Sequence, residues 1–66
     1  MKNTIKVQRA IKDLTQDQLA QKVGVSRQTI NSIEKGRYVP STLLALKLSA
    51  VFEVSVNEFF ELEDDD

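Results

Sequence analysis

Apolar residues recur every three or four positions along most of the chain, which is the spacing of helices that bury one face. This pattern predicts five short helices, over residues 4–12, 16–23, 27–35, 42–52 and 56–61. Helices shorter than about 12 residues are marginal in water, so packing between the segments must hold them. The sequence therefore predicts an all-α, five-helix bundle that forms one domain over residues 1–66.

Local residues mark where these helices begin and end. An N-capping hydroxyl precedes each helix after the first, at Thr15, Ser26, Ser41 and Ser55. Gly24 and Gly36 follow helical stretches and suit the left-handed conformation that ends a helix. The inward-facing apolar positions give the predicted core: Ile5, Leu14, Leu19, Ala20, Val23, Val25, Ile30, Ile33, Leu44, Leu48, Val51, Phe52, Val54 and Phe59.

The C-terminal end permits two interpretations. The apolar spacing over residues 56–61 is that of a helix, but residues 60–63 alternate between apolar and acidic, which is the period of a strand. Acidic side chains at the negative end of a helix dipole also disfavour its extension. A short strand over these residues would pair with residues 2–5. In either case residues 61–66 form an acidic tail.

Charge is distributed unevenly along the chain. Residues 1–39 carry eight Lys and Arg against three acids, which gives +5, whereas residues 40–66 carry one Lys against seven acids, which gives −6. The two halves sum to the net charge of −1, which hides a basic body. This asymmetry is expected of a protein with an anion-binding surface.

The composition excludes several classes of function. The chain contains no Cys and no His, so it lacks disulfides, the usual zinc ligands, a thiol nucleophile and an imidazole base. The longest apolar run has four residues, too few to span a membrane, and no signal peptide precedes the domain. We therefore expect a cytoplasmic protein that is not an enzyme and has no cofactor, small-molecule ligand or membrane partner.

Residues 16–35 have the pattern of a helix-turn-helix: two helices separated by a turn of a few positions that contains Gly24. On the second helix, at about 100° per residue, Ile30 and Ile33 share one face. The opposite face carries no acid and presents the candidate base-reading residues Arg27, Gln28, Asn31 and Ser32. Arg bonds guanine and Gln or Asn bonds adenine in the major groove, so this face fits DNA better than an ordinary solvated surface does.

Residues around this helix are candidates for the DNA backbone and for support. The backbone candidates are Gln16, at the start of the preceding helix, and Lys35 and Arg37, beyond the second helix. Glu34 lies at the edge of the buried face and needs a cation. Arg9 is one turn beyond Ile5 on the inner side of helix 1, so we predict an Arg9–Glu34 ion pair; two independent surface charges are the alternative.

Residues 14–41 read LTQDQLAQKVGVSRQTINSIEKGRYVPS. This string resembles the Cro and phage-repressor type helix-turn-helix family, also called the xenobiotic-response-element family. The resemblance extends from about Ile5 to Phe60. It implies a lambda-repressor-like fold of five helices in which the second and third read DNA. It also implies the base-reading and backbone roles given above and an Arg–Glu pair at Arg9 and Glu34.

Three residues depart from the family pattern. Gln8 replaces the usual core Leu, Ile11 replaces a charged residue, and Glu53 replaces a Gly before Val54. These differences affect the packing of helix 1 and the turn at residues 52–55. They leave the DNA-reading helix unchanged.

The resulting interpretation is a sequence-specific regulator that binds double-stranded DNA and represses by occupying its site. One such unit reads too few base pairs, so a homodimer on a palindrome, with half-sites about 34 Å apart, is expected. The apolar residues Val56, Phe60 and Leu62 are the candidate dimer interface. An antitoxin-type DNA-binder with a protein partner and a protein-interaction bundle are the alternatives.

Overall fold

The computed structural model describes all residues from Met1 to Asp66. The chain forms four α-helices: α1 (Ile5–Ile11), α2 (Gln16–Val23), α3 (Arg27–Glu34) and α4 (Thr42–Phe52). A single 3₁₀ turn covers Val56–Glu58, and two short strands, β1 (Lys2–Asn3) and β2 (Phe60–Glu61), lie at the two ends of the chain. The strands pair antiparallel, with Lys2 opposite Glu61 and Asn3 opposite Phe60. The fold is therefore mostly helical with one two-stranded sheet.

The prediction of a fifth helix over residues 56–61 is wrong, and the alternative of a terminal strand pair is confirmed. Ser55 accepts no side-chain capping hydrogen bond, and the helical segment ends after one 3₁₀ turn. The backbone N–H of Thr4 then donates to the carbonyl of Phe59 over 2.9 Å. Both Phe59 and Phe60 are buried at this point of the chain.

The other capping predictions are confirmed. Thr15 and Gln18 form a reciprocal capping box, and the hydroxyls of Ser26 and Ser41 each accept a backbone N–H of the helix that follows. Gly24 ends α2 in the left-handed conformation, at φ 75°. Glu53 adopts the same conformation at the end of α4, at φ 60°, without the freedom of a glycine.

The core lies where α2, α3 and α4 meet the two aromatic residues of the C-terminal segment. Phe52 and Phe59 pack edge to face with ring centroids 5.2 Å apart, and Phe60 follows at 5.1 Å from Phe59. All eleven buried residues belong to the predicted core except Phe60. The predicted core residues Leu14, Val25, Val51 and Val54 are only partly buried against it.

Helices α2 and α3 form a helix-turn-helix. The backbone N–H of Val25 donates to the carbonyl of Ala20, which closes the turn, and Ser26 starts α3 at once. Leu19, Ala20 and Val23 of α2 and Ile30 and Ile33 of α3 are buried together in the core. This packing fixes which face of α3 points outward. The longest helix has eleven residues, and none has the length and hydropathy to cross a membrane.

Candidate nucleic-acid interface

The outward face of α3 carries the predicted base-reading residues. Ile30 and Ile33 have no exposed surface, so they hold the opposite face of the helix in the core. Arg27 and Gln28 are exposed, whereas Asn31 and Ser32 are half-buried. A shallow groove runs beside this face, lined by Ser26, Gln28, Thr29, Ser32, Arg37 and Tyr38. The structure thus brings Gln28 and Ser32 next to Arg37.

The segment after α3 places two cations beside this face. Gly36, at φ 74°, turns the chain, and the backbone N–H of Arg37 then donates to the carbonyl of Ser32 over 2.9 Å. Lys35 and Arg37 are exposed, as is Arg27. None of these three cations forms an ion pair within the chain. Their charges are therefore available to an anion such as a phosphate.

The acidic tail is paired elsewhere. The N-terminal ammonium of Met1 lies 3.0 Å from a carboxylate oxygen of Glu63 and 2.9 Å from one of Asp66. Lys2 lies 3.5 Å from Glu61 across the two strands. A backbone hydrogen bond from Glu63, with the N-terminal ammonium, lowers the pKa of the Asp66 carboxyl. The tail therefore does not neutralise the cations beside α3.

A partly buried ion pair connects α1 to α3. Arg9 Nε donates to Glu34 Oε2 over 2.8 Å, and Arg9 Nη2 donates to Glu34 Oε1 over 3.3 Å. The third donor, Arg9 Nη1, binds the carbonyl of Leu14 over 2.9 Å. The Glu34 side chain is only 7% exposed. This pair ties the end of α3 to the rest of the domain.

Gln16 belongs to the same network, which the sequence does not reveal. Its Nε2 donates to Glu34 Oε1 and to Asn31 Oδ1, each over 3.2 Å. The side-chain nitrogen of this candidate backbone contact is therefore already engaged inside the protein. No local pattern signals this arrangement, because it depends on how α2 crosses α3.

The three candidate dimer residues differ in exposure. Leu62 is 77% exposed and Val56 is half-buried, but Phe60 is only 9% exposed. The strand pairing folds Phe60 onto Phe59, so most of its surface is already buried within the single chain, and its place in a dimer interface stays a prediction. Val56 and the edge of Phe60 line an apolar groove together with Met1, Pro40, Thr42, Ala45 and Leu46. Leu46 is the most exposed apolar side chain of this groove, at 58%, and the sequence did not single it out as an interface residue.

Comparisons with known proteins identify the family of this chain. The helix-turn-helix family model matches residues 5–59. The chain belongs to the helix-turn-helix family. The match confirms the resemblance found in the sequence, and its range includes both α2 and α3.

Two relatives of this helix-turn-helix protein match it over nearly the whole of both chains. A helix-turn-helix-type transcriptional regulator of Methanocaldococcus jannaschii is 53% identical over the whole of both chains. Another from Bacillus subtilis is 48% identical over 98% of each chain. Among solved structures, the restriction-modification controller protein C.AhdI from Aeromonas hydrophila superposes with a TM-score of 0.77, at 28% identity over 85% of each chain. A SinR–SinI complex gives the same TM-score at 33% identity, over 92% of this chain and 65% of the matched one.

Proposed function

We propose that this helix-turn-helix protein is a sequence-specific regulator of transcription that binds double-stranded DNA. The observation that carries the proposal is the outward face of α3, which is polar, free of acids and flanked by three unpaired cations. Two of its relatives are themselves described as helix-turn-helix-type transcriptional regulators. Such a protein acts where the DNA is, in the cytoplasm, and performs no chemical step.

Helix α3 enters the major groove, and the side chains on it and just after it divide into two groups. Arg27, Gln28, Asn31 and Ser32 face the base edges, where Arg matches guanine and an amide matches adenine. Lys35 and Arg37 bind phosphates on the flanking strand and set the register without reading sequence. Occupancy of the site blocks other proteins, which makes repression the simplest outcome.

The functional unit is a homodimer. Two copies pair through the apolar groove lined by Leu46, Val56 and the edge of Phe60, and the exposed Leu62 is a further candidate contact between them. A palindromic operator with half-sites about 34 Å apart then receives one α3 per half-site.

The oligomeric state tests the interface. Leu46→Glu places a charge in the groove at an exposed position, so it should give folded monomers at micromolar concentration by sedimentation. Val7→Glu is the matched control, because Val7 is 55% exposed on α1 and lies outside the groove. A dimer that persists in Leu46→Glu, or one that dissociates in Val7→Glu, would contradict this interface.

Selection of bound sites from random DNA tests the function itself. Wild-type protein should enrich a palindrome and bind it at least about a thousandfold more tightly than random DNA at physiological salt. Both affinities should fall as salt rises, because phosphate contacts release counterions. Absent or salt-independent binding would overturn the proposal and favour a protein-interaction bundle.

A second candidate function is a DNA-binder that also docks a partner protein. The SinR structure that superposes on this chain was solved as a complex with SinI. The same apolar groove is the available surface for such a partner. Mass measurement of the DNA complex reconstituted from purified protein distinguishes a self-sufficient dimer from a chain that needs a second protein.

A further inference from the structure

A chain of hydrogen bonds runs from α1 to the outward face of α3. Arg9 donates to both carboxylate oxygens of Glu34, and Glu34 Oε1 also accepts from Gln16 Nε2. The same Nε2 donates to Asn31 Oδ1. All four residues are partly buried, so water competes weakly for these bonds.

The direction of each bond follows from the groups involved. A guanidinium can only donate and an ionised carboxylate can only accept, so Glu34 requires the nitrogen of the Gln16 amide. That nitrogen has a second hydrogen and no acceptor capacity, so Asn31 must turn its oxygen toward Gln16. The nitrogen of Asn31 is thereby directed away from the network. The charge of Glu34 thus sets the orientation of two neutral amides.

Asn31 Nδ2 makes no hydrogen bond within the chain, whose only bond to the Asn31 side chain is at Oδ1. No buried side-chain nitrogen or oxygen in the structure lacks a hydrogen-bond partner, so Asn31 Nδ2 is not buried. It is therefore an accessible donor on the face proposed to read DNA. We infer that Gln16 is a positioning residue that locks the Asn31 amide, so that Asn31 reads its base as a hydrogen-bond donor. This inference rests on the proposed function and assigns Gln16 a different role from the backbone contact suggested by its position.

The lock has consequences for specificity. Guanine N7 and O6, adenine N7 and thymine O4 accept in the major groove, whereas cytosine offers only a donor. An unrestrained amide could rotate and accept from cytosine, but the Gln16 bond opposes that rotation. The ordering is already present in the free protein, so binding does not have to supply it.

The two roles of Gln16 predict different losses. A residue that contacts phosphate contributes to every DNA sequence alike. A residue that positions Asn31 contributes only to discrimination at the base pair that Asn31 reads. The test compares Gln16→Met, Asn31→Ala and the double variant on the selected operator, on its single base-pair variants and on random DNA. Gln21→Met is the matched control, because this exposed glutamine of α2 bonds only Asp17 of its own helix.

We expect Asn31→Ala to lose about fivefold or more in discrimination at one base pair. Gln16→Met should lose discrimination at the same base pair, change random-DNA binding by less than about twofold, and add nothing in the Asn31→Ala background. Gln21→Met should match wild type. Thermal unfolding should show that Gln16→Met still folds, since Glu34 keeps both bonds from Arg9.

The other outcomes separate this inference from the proposed function. Equal losses on operator and random DNA in Gln16→Met would make Gln16 a phosphate contact and overturn the inference alone. Full discrimination retained in Gln16→Met, or losses that add to those of Asn31→Ala, would do the same. If wild-type protein does not distinguish any selected site from random DNA, the proposed function fails as well.

Discussion

The Arg9–Glu34 ion pair connects α1 to the end of α3, and it can be removed from one side. Arg9→Met keeps most of the aliphatic stem and eliminates all three donors, of which two serve Glu34 and one serves the Leu14 carbonyl. Glu34 would then be a carboxylate that is 7% exposed and has only the neutral Gln16 amide as a partner.

The expected loss is large relative to the total stability. Removing one partner of a buried ion pair costs about 3–5 kcal/mol, because the remaining charge stays desolvated. A domain of this size has a free energy of unfolding of roughly 3–10 kcal/mol. The melting temperature should therefore fall by about 12 °C or more. A loss of about 5 kcal/mol would leave Arg9→Met largely unfolded at room temperature if the wild-type free energy of unfolding is near the lower end of its range.

Thermal and urea unfolding followed by circular dichroism at one fixed protein concentration measure this loss, since a dimer's apparent stability depends on concentration. The double variant Arg9→Met/Glu34→Leu should recover most of it, because an apolar pair often replaces a buried ion pair without penalty. Lys12→Met is the control, since Lys12 pairs with the exposed Glu53. Additive losses in the Arg9 and Glu34 cycle, or equal losses in Arg9→Met and Lys12→Met, would refute the reasoning.

Three further predictions address reading, pH and the turn. Gln28→Ala should cost about 1–3 kcal/mol of binding free energy on the operator and little on random DNA. Arg37→Ala should weaken binding to both DNAs and reduce the slope of log K against log salt by about one unit. Binding titrations at several salt concentrations test this, and equal losses and slopes for the two variants would contradict the division. The hydrogen bond from Lys12 lowers the pKa of Glu53 below its ordinary 4.5, so its stabilising effect is complete above that pH and is lost as pH falls through the lowered value. Glu53→Gln should therefore reduce the acid-induced fall in melting temperature, and an unchanged acid limb would argue against the pair. Gly24→Ala should destabilise by about 1–2 kcal/mol in urea unfolding, because φ is +75° while nothing lies within 4 Å of the added carbon; a neutral variant would show that the turn relaxes.

The sequence predicted the parts of the fold that depend on local signals. Helices α2 and α3 lie within one residue of their predicted bounds. A capping hydroxyl defines the start of each helix, and a following glycine or the last position of the apolar periodicity defines its end. The core followed from the same periodicity, since apolar residues on one helical face can be buried only together. The helix-turn-helix was therefore predictable without any knowledge of long-range contacts.

The C-terminal segment was not predictable in this way, because its conformation is decided by a partner far away in the sequence. Ser55 and Glu58 have the residue types of a capping box, yet the hydroxyl of Ser55 caps nothing. Strand pairing of Phe60 with Asn3 competes with helix formation at this position. The free energy of that pairing depends on a segment at the other end of the chain, so the residues near position 60 do not reveal it. The alternation of residues 60–63 indicated the strand that proved correct, and the acidic side chains at the end of the segment disfavoured a longer helix.

The departures from the family pattern are accommodated without changing the fold. Glu53 adopts the left-handed conformation that a glycine would take more easily, and its side chain pairs with Lys12. Ile11 remains 67% exposed at the end of α1, and Gln8 is half-buried. All three residues lie in α1 or in the turn after α4, outside α2 and α3.

The candidate site was predictable to the level of a helix face but not to the level of individual atoms. Periodicity placed Asn31 outward and Glu34 at the buried edge, and the structure agrees with both positions. The bond from Gln16 to both residues arises from the crossing of α2 and α3, which no spacing specifies. The position of Gln16 at the start of α2 predicted a phosphate contact. Its side-chain nitrogen is already bonded to Glu34 and Asn31, which is the basis for the positioning role proposed above.

Phe60 shows why apolar residues near a chain end cannot be divided between core and interface by sequence alone. Both roles require the same residue type, and only the strand pairing decides that its ring packs on Phe59. A charge at Phe60 would therefore enter the core and unfold the domain, so loss of a dimer in Phe60→Glu could not be assigned to the interface. Leu46 lies on the same groove but is exposed in the single chain. A charge there leaves the core intact, so a folded monomer in Leu46→Glu would identify the groove as the surface that joins two copies.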